Sequence, residues 1–430
     1  MQIHPQKEDL IAYLIIILLS INALSSVMLV PFHPDESTYL YMSTDLDTFL
    51  SDPFSLQWNP NQEEDPHQKS RELDAPLIKY LLGISRKFAG MTPLKTDWDW
   101  SKSWEENKNA GALPSNDILH SGRFGVSLLF PLTLLSLYHL VKHLTNSWGG
   151  IISIIFLGTN ALILLHTRRA MAEGALVFGI TLSLFSLLKA DKYPWLTGIA
   201  IAFAFNAKQT SIALLPAGLL AVCWIADNSL KTRIILRNAM IYVVTFLVVT
   251  FLLNPLIWRN PLRATLASIK ARQELVNHQV EDTSKIAPQK ALETPTQKIA
   301  ALIAQAFIAP PSFSEIGNYL QNTSAAEQKY ISVWNNTLWR GFFVGGFVFI
   351  FSLLGLIFSF SLNNQQKKER KREIILLVIA TLFQAGGLIT ALPLPWQRYY
   401  MPLFPFIALW FSIGIYESIK IIENNSLKFQ

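Results

Sequence analysis

The sequence is poor in cysteine and poor in charge. Cys223 is the single cysteine among 430 residues, so neither an intrachain disulfide nor a cysteine-based metal site can form. Charged residues make up only 15% of the chain, where a soluble domain carries about 25%. Internal repeats and low-complexity tracts are lacking. The first apolar run, residues 10–30, has no small-residue cleavage site of the A-x-A type after it. It is also long for a signal-peptide core, so it reads as a retained first helix.

What the chain has instead is apolar surface in blocks. Hydrophobic residues reach 51% and the mean hydropathy is +0.30. They are not spread at helical or strand periods. They fall at 10–30, 124–144, 150–165, 174–188, 195–207, 211–225, 239–257, 341–362, 374–392 and 399–422. Runs of this kind cross roughly 30 Å of hydrocarbon as helices. The 195–207 block is short, but the next follows almost directly, as a tight hairpin requires. The expectation is an all-α, polytopic membrane protein with about ten transmembrane helices and one transmembrane domain over residues 1–430. Two polar stretches, 31–120 and 258–339, are its long loops.

The net charge is +6 and the pI near 9.2. The basic residues stand mostly in short loops between apolar blocks, which is an orientation signal and not a nucleic-acid-binding face. With the N-terminus in the cytoplasm, the inner loops hold Lys142, Lys189, Lys192, Lys231, Arg233, Arg237, Lys367, Lys368, Arg370, Lys371 and Arg372. Lys420 and Lys428 fall in an inner tail, and the opposite short loops hold only Arg168, Arg169, Lys208 and Arg398. Both termini are therefore expected inside and both long loops outside. In the first loop, residues 37–50 and 73–89 read as helices lying along the membrane interface. Trp98, Trp100 and Trp104 read as an aromatic anchor at the headgroup level, the blander reading, or as an acceptor-binding surface. In the second, the apolar piece 298–310 is expected to re-enter the membrane or lie on it.

Charges at the edge of the hydrocarbon are costly, so they are usually paired or functional. Asp35 and Glu36 stand directly beyond the first apolar run, in His33-Pro34-Asp35-Glu36. Arg168, Arg169 and Glu173 share one outer turn, Lys208 is at the next and Arg398 at the last. Several cations on one face can hold a lipid phosphate, and a carboxylate facing it can take a proton from an incoming hydroxyl. The bland alternative is a set of helix-end charges satisfied by water and headgroups. His139 and His143, at i,i+4 spacing with no carboxylate close in sequence, read as an interfacial pair and not a metal site. His33 beside Asp35 and Glu36 reads as part of a turn shaped by Pro34, and His166 is left without a role.

The charges sit in an ordered series of motifs. Asp35-Glu36-Ser37-Thr38-Tyr39 opens the first loop, followed by Ala75-Pro76-Leu77-Ile78-Lys79 and Gly122-Arg123. Then come Thr167-Arg168-Arg169-Ala170-Met171-Ala172-Glu173 and Phe203-Ala204-Phe205-Asn206-Ala207-Lys208. Arg398-Tyr399-Tyr400-Met401-Pro402-Leu403-Phe404-Pro405 closes the series. In this order they resemble the GT-C glycosyltransferases that use polyprenyl-phosphate sugars, above all the protein O-mannosyltransferases and the bacterial aminoarabinose transferases acting on lipid A. Ala75 stands where that family has the first proline of a pair, and Glu173 where it has aspartate. The soluble C-terminal domain of some relatives is not expected.

The resemblance implies a GT-C fold with a donor site at the outer membrane face. Asp35 would be the general base. Arg168, Lys208 and Arg398, with Lys79, would meet the leaving phosphate, and Glu36 and Glu173 would orient basic side chains or the sugar. No metal or other cofactor is implied. The partners implied are a polyprenyl-phosphate sugar donor, a lipid, glycan or protein acceptor, and the lipid bilayer. The expected location is a bacterial inner membrane. A transporter or flippase for an amphipathic lipid would share the helices and the cations, but related halves are not evident in the sequence.

Overall fold

The computed structural model describes residues 7–62, 65–224, 232–315, 319–361 and 367–426. Lys231 and Lys428, and the side chains of Lys367 and Lys368, lie outside the described residues. Every regular element among those described is helical. Six helices are long and apolar enough to cross a membrane: Lys7–Ser25, Asn116–Leu144, Thr232–Leu253, Phe342–Phe360, Arg370–Ala391 and Gln397–Ser426. Four shorter apolar helices, Ser147–Thr159, Ala172–Leu187, Pro194–Ala207 and Gln209–Cys223, fall on the remaining blocks. The all-α membrane architecture expected from the sequence is the one observed.

The first helix shows how the apolar blocks are used. Asp9, Ala12, Ile16, Ser20 and Ala23 form its buried stripe. Leu10, Leu14, Ile17, Leu18 and Ile21 are 54–58% exposed on the other face. In water such a face is unfavourable; against lipid tails it is the matched surface. Between helices lipid supplies no comparable drive, so association depends on close fit. Phe342–Ser361 and Phe404–Ser426 pack directly together. They meet at Gly355 and Gly414, where an added Cβ would run into the facing carbonyls of Trp410 and Phe351.

The first loop folds as short helices: Pro34–Met42, Thr44–Ser51, Pro66–Leu73, Leu77–Phe88 and Trp104–Asn109. Leu77–Phe88 packs on Thr44–Ser51 and on Asn116–Ser127. The second loop begins with the long Pro261–Ile286 helix, which packs on Pro66–Leu73. Its apolar piece forms Pro295–Ile303 followed by the wider turn Ala304–Ile308. That turn is held by Arg340, which donates to the carbonyls of Gln305, Ala306 and Ala309 at 2.6–2.7 Å. The two loops thus meet each other beside the ends of the apolar helices.

At the far end of the first helix from Asp35, Asp9 accepts hydrogen bonds from Tyr138 at 2.6 Å and Ser147 at 2.9 Å, and pairs with Lys142. His143 does have a carboxylate partner. Glu373, 230 positions on, lies 2.9 Å from its Nε2. The pair therefore joins two helix ends, a contact that sequence spacing does not display.

Candidate active site

His33-Pro34-Asp35-Glu36 builds a helix start. Pro34 occupies the first turn of Pro34–Met42, where its missing N–H costs nothing. The backbone N–H of Asp35 donates to His33 Nδ1 at 3.1 Å, and the N–H of His33 donates to Glu36 Oε2 at 3.1 Å. This reciprocal cap fixes the two carboxylates in opposite directions. Glu36 turns inward. Its oxygens take Arg123 Nε and Nη2, each at 2.7 Å, and the N–H of Ala170 at 2.8 Å. Asp35 turns the other way, with 23% of its side chain exposed, and pairs with Arg398 Nη1.

Arg398 sits in the tight Gln397–Leu403 turn that leads into the last helix. Its Nε lies 3.2 Å from Glu315, whose other oxygen is 2.9 Å from His33 Nε2. Glu315 reaches this point because Gln397 clips the second loop to the same turn. Ser312 N–H donates to Gln397 Oε1 at 2.6 Å, and Gln397 Nε2 donates to the Pro310 carbonyl at 3.0 Å. Asp35, Arg398, Glu315 and His33 therefore form one cluster of ion pairs and hydrogen bonds drawn from three parts of the chain.

Tyr399 extends it. Its ring lies 5.7 Å from the Arg398 guanidinium and 5.4 Å from Lys208 Nζ, two cation–π contacts on one aromatic ring. Lys208 in turn donates to Glu173 Oε1 at 2.6 Å. Of the residues singled out in the sequence, Asp35, Arg398, Lys208 and Glu173 are brought together.

The others have different surroundings. Arg168 is buried, and its donors go to the Leu164 carbonyl, Ser26 Oγ, Tyr330 Oη and Asn336 Oδ1. Lys79 is also buried; its ammonium donates to the carbonyls of Ser70 at 2.8 Å and Asp74 at 3.1 Å. It lines a small separate recess with Asp45, Arg71 and Tyr80. Of the two adjacent arginines, Arg169 lies within electrostatic reach of Glu36 and Glu315, in addition to Arg123 and Arg398 respectively.

The anchor reading does not hold for Trp98. Trp98 is 4% exposed, with its ring packed 5.9 Å from Phe32 and 5.6 Å from Trp104. Trp100 lies 6.4 Å from His33 and 6.2 Å from Tyr319. Local composition cannot separate a lipid anchor from a packed ring; here Trp98 packs on Phe32 and Trp104, and the more exposed Trp100 borders the cluster at His33.

Charge follows from geometry. Burial opposes ionisation of Asp35, but Arg398 and then His33 outweigh it and hold the carboxyl below the ordinary aspartate value. Glu315 is held low in the same way, by Arg398 and His33 against burial. Burial raises the Asp97 carboxyl, with Asp35 and Asp74 adding to the rise over the hydrogen bonds of Thr38 and Trp98. Among the described residues no group of three or more His, Cys, Asp or Glu is arranged to hold a metal ion.

Glu315 and Tyr399 are members that sequence reading missed, and Arg169, named there among the edge charges, was given no role. Glu315 follows an apolar piece in the second long loop, where no motif marks it. Tyr399 adjoins Arg398, which was singled out.

Residues 115–258 match the family described as dolichyl-phosphate-mannose-protein mannosyltransferase. The match contains Arg168, Glu173 and Lys208 and stops short of Asp35 and Arg398. No curated protein sequence matches the chain. Among solved structures, the Archaeoglobus fulgidus oligosaccharyltransferase superposes with a TM-score of 0.51 at 12% identity, over 97% of this chain and 52% of that one. ArnT from Cupriavidus metallidurans, bound to undecaprenyl phosphate, gives 0.48 at 13% identity, over 94% and 59%. The protein O-mannosyltransferase complex of S. cerevisiae, bound to its sugar donor, gives 0.44 at 16% identity, over 63% and 35%. The chain spans 35–59% of the length of these three.

Proposed function

We propose that this chain, which has the GT-C fold, is a glycosyltransferase moving a sugar from a polyprenyl-phosphate donor to a hydroxyl acceptor at the outer membrane face. One observation carries the reading. Asp35 is held against Arg398, and Tyr399 joins that pair to Lys208 and Glu173. A base and two phosphate-binding cations thus share one site beside the first loop. The match to a mannosyltransferase family supports the same reaction class.

In the reaction the acceptor oxygen attacks the anomeric carbon from the side opposite the phosphate. Asp35 takes the hydroxyl proton, and the sugar–phosphate C–O bond breaks with its electron pair on the phosphate oxygen. One displacement inverts the configuration. Arg398 and Lys208 meet the growing phosphate charge. Glu173 holds Lys208 in place, and Glu315 does the same for Arg398. The acceptor is a lipid, a glycan or a protein.

The test is transfer from labelled polyprenyl-phosphate sugars by purified protein, with the product anomer read by NMR. No transfer from any donor, or retention of configuration, would sink the proposal. Arg398→Ala is expected to lower donor affinity and turnover together, because it removes a phosphate ligand. Arg398→Lys should recover only part, since an ammonium cannot reproduce the guanidinium fork between Asp35 and Glu315. Full recovery in Arg398→Lys would reduce Arg398 to a bare point charge.

The orientation proposal has its own check. Reporter fusions after Lys7, Lys192, Arg233 and Lys371 are expected to read cytoplasm, and fusions at Asn109 and Thr283 the outside. A cytoplasmic signal at Asn109 would put Asp35 on the wrong face.

A further inference from the structure

His166 has no place in the reaction above, and its surroundings are unusual. It ends the short Ala161–His166 helix, directly before Thr167-Arg168-Arg169, and is 1% exposed. Among the described residues, neither of its ring nitrogens has a hydrogen-bond partner. Buried polar groups are nearly always paired, so an imidazole with two unpaired nitrogens calls for an explanation. The charged groups within electrostatic reach of the ring are Arg169, Glu173, Glu315 and Arg398. These belong to the candidate site.

Two of those neighbours have the same feature. Glu173 gives Oε1 to Lys208 and leaves Oε2 without a partner. Arg169 donates from Nη2 to the Phe313 carbonyl at 2.8 Å and leaves Nε without one. A neutral imidazole offers one N–H donor and one acceptor nitrogen, a carboxylate oxygen only accepts, and a guanidinium only donates. The unpaired set is therefore mixed in kind. A phosphate, which only accepts, would leave the imidazole acceptor unmatched and would face the Glu173 carboxylate. A hydroxyl donates and accepts, and neighbouring hydroxyls on one ring would match the set.

We infer that His166, with Glu173 and Arg169, is a binding residue for sugar hydroxyls of the donor, next to the phosphate-binding pair Arg398 and Lys208. This rests on the donor reading above and adds to it a division of the site. The cations hold the phosphate; the buried imidazole and its neighbours read the ring. Arg168-Arg169 lies between His166 and Glu173 in sequence, so one turn carries both parts of the subsite.

The experiment is direct binding to purified protein of two kinds of probe: polyprenyl phosphate bearing a hexose or an aminopentose, and bare polyprenyl phosphate. His166→Phe keeps a flat ring of similar size and deletes both hydrogen-bonding nitrogens. It is expected to weaken the preferred sugar-bearing lipid about tenfold or more, the effect of a lost hydrogen bond in a desolvated site. Bare polyprenyl phosphate should bind nearly as before. His166→Gln retains a donor and an acceptor and should recover part of the loss. Unchanged binding of both lipids to His166→Phe would overturn the inference alone, leaving ordered water as the partner of the ring. Equal weakening of both lipids would also overturn it, by making His166 a support for the phosphate site. Wild-type protein that binds neither lipid would remove the donor reading and this inference with it.

Discussion

In Asp35→Asn, turnover is expected to fall by about 10² or more, the usual worth of general-base catalysis. Binding of the sugar donor should stay near the wild-type value. Asparagine keeps the size of the side chain and can still meet Arg398 through its amide oxygen. It has no oxygen basic enough to take the acceptor proton. The charge change does not weaken the proposed phosphate-binding cations either. Arg398 loses one of its two carboxylates and keeps Glu315, 3.2 Å away, so its attraction for an anion is not reduced. A loss in turnover without a loss in binding is the signature of an interaction made in the transition state. If donor binding falls as far as turnover, Asp35 organises Arg398 and performs no proton transfer. Unchanged turnover would remove the mechanism.

The acid side of the pH profile gives a second reading of the same residue. Burial works against the charge on Asp35, and Arg398 followed by His33 overcomes it, so the folded carboxyl is depressed. A base acts only when deprotonated. Activity should therefore be present above the depressed value and lost as pH falls through it. That puts the acid limb of kcat/KM below about 4, the ordinary aspartate range. Arg398→Lys, with a less well matched partner, should move the limb upward. A limb near neutrality in the wild type would mean that another group titrates.

The residues that the structure brings together were partly legible because the ends of apolar runs are written in composition. A polar pair at the end of an apolar run is costly unless paired or functional, so Asp35 and Glu36 could be singled out without coordinates. The ordered motifs through Arg398 then pointed to the GT-C fold, which the chain has. The opposite directions of Asp35 and Glu36 were not legible. They depend on the cap made by His33, and on Arg123 and Ala170 waiting on the inner side. Nor could adjacent arginines be told apart. Arg168 is consumed by Tyr330 and Asn336 from the second loop, a segment with no periodic signal to place it. Glu315 was hidden for the same reason. Its position comes from two hydrogen bonds to Gln397, and hydrogen bonds between loops leave no pattern along the chain.

Arg123→Ala is expected to destabilise the protein by about 3–5 kcal/mol, the cost of leaving a buried charge without its partner. Arg123 and Glu36 are 1% and 0% exposed, and their two contacts of 2.7 Å form a bidentate fork. Arg123 Nη1 also donates to the carbonyls of Val27 at 3.0 Å and Val30 at 2.7 Å. One guanidinium thus ties the end of the first membrane helix to the helix that carries Asp35. Burial opposes the charge on Glu36, and Arg123 outweighs it, so the carboxyl is held below its ordinary value and stays ionised at neutral pH. Removing the arginine leaves that carboxylate to protonate or to pull in water, and either loosens the corner. The measurement is thermal unfolding in detergent, with Asp35→Asn as a comparison expected to lose less, because Arg398 keeps its second carboxylate, Glu315. Glu36→Gln should fall with Arg123→Ala, because an amide cannot complete the ionic fork. The double change Glu36→Leu, Arg123→Met should be less damaging than either Glu36→Leu or Arg123→Met alone, since it strands no charge. A Glu36→Gln protein that melts like wild type but no longer binds the donor would assign Glu36 to the substrate and not to the fold.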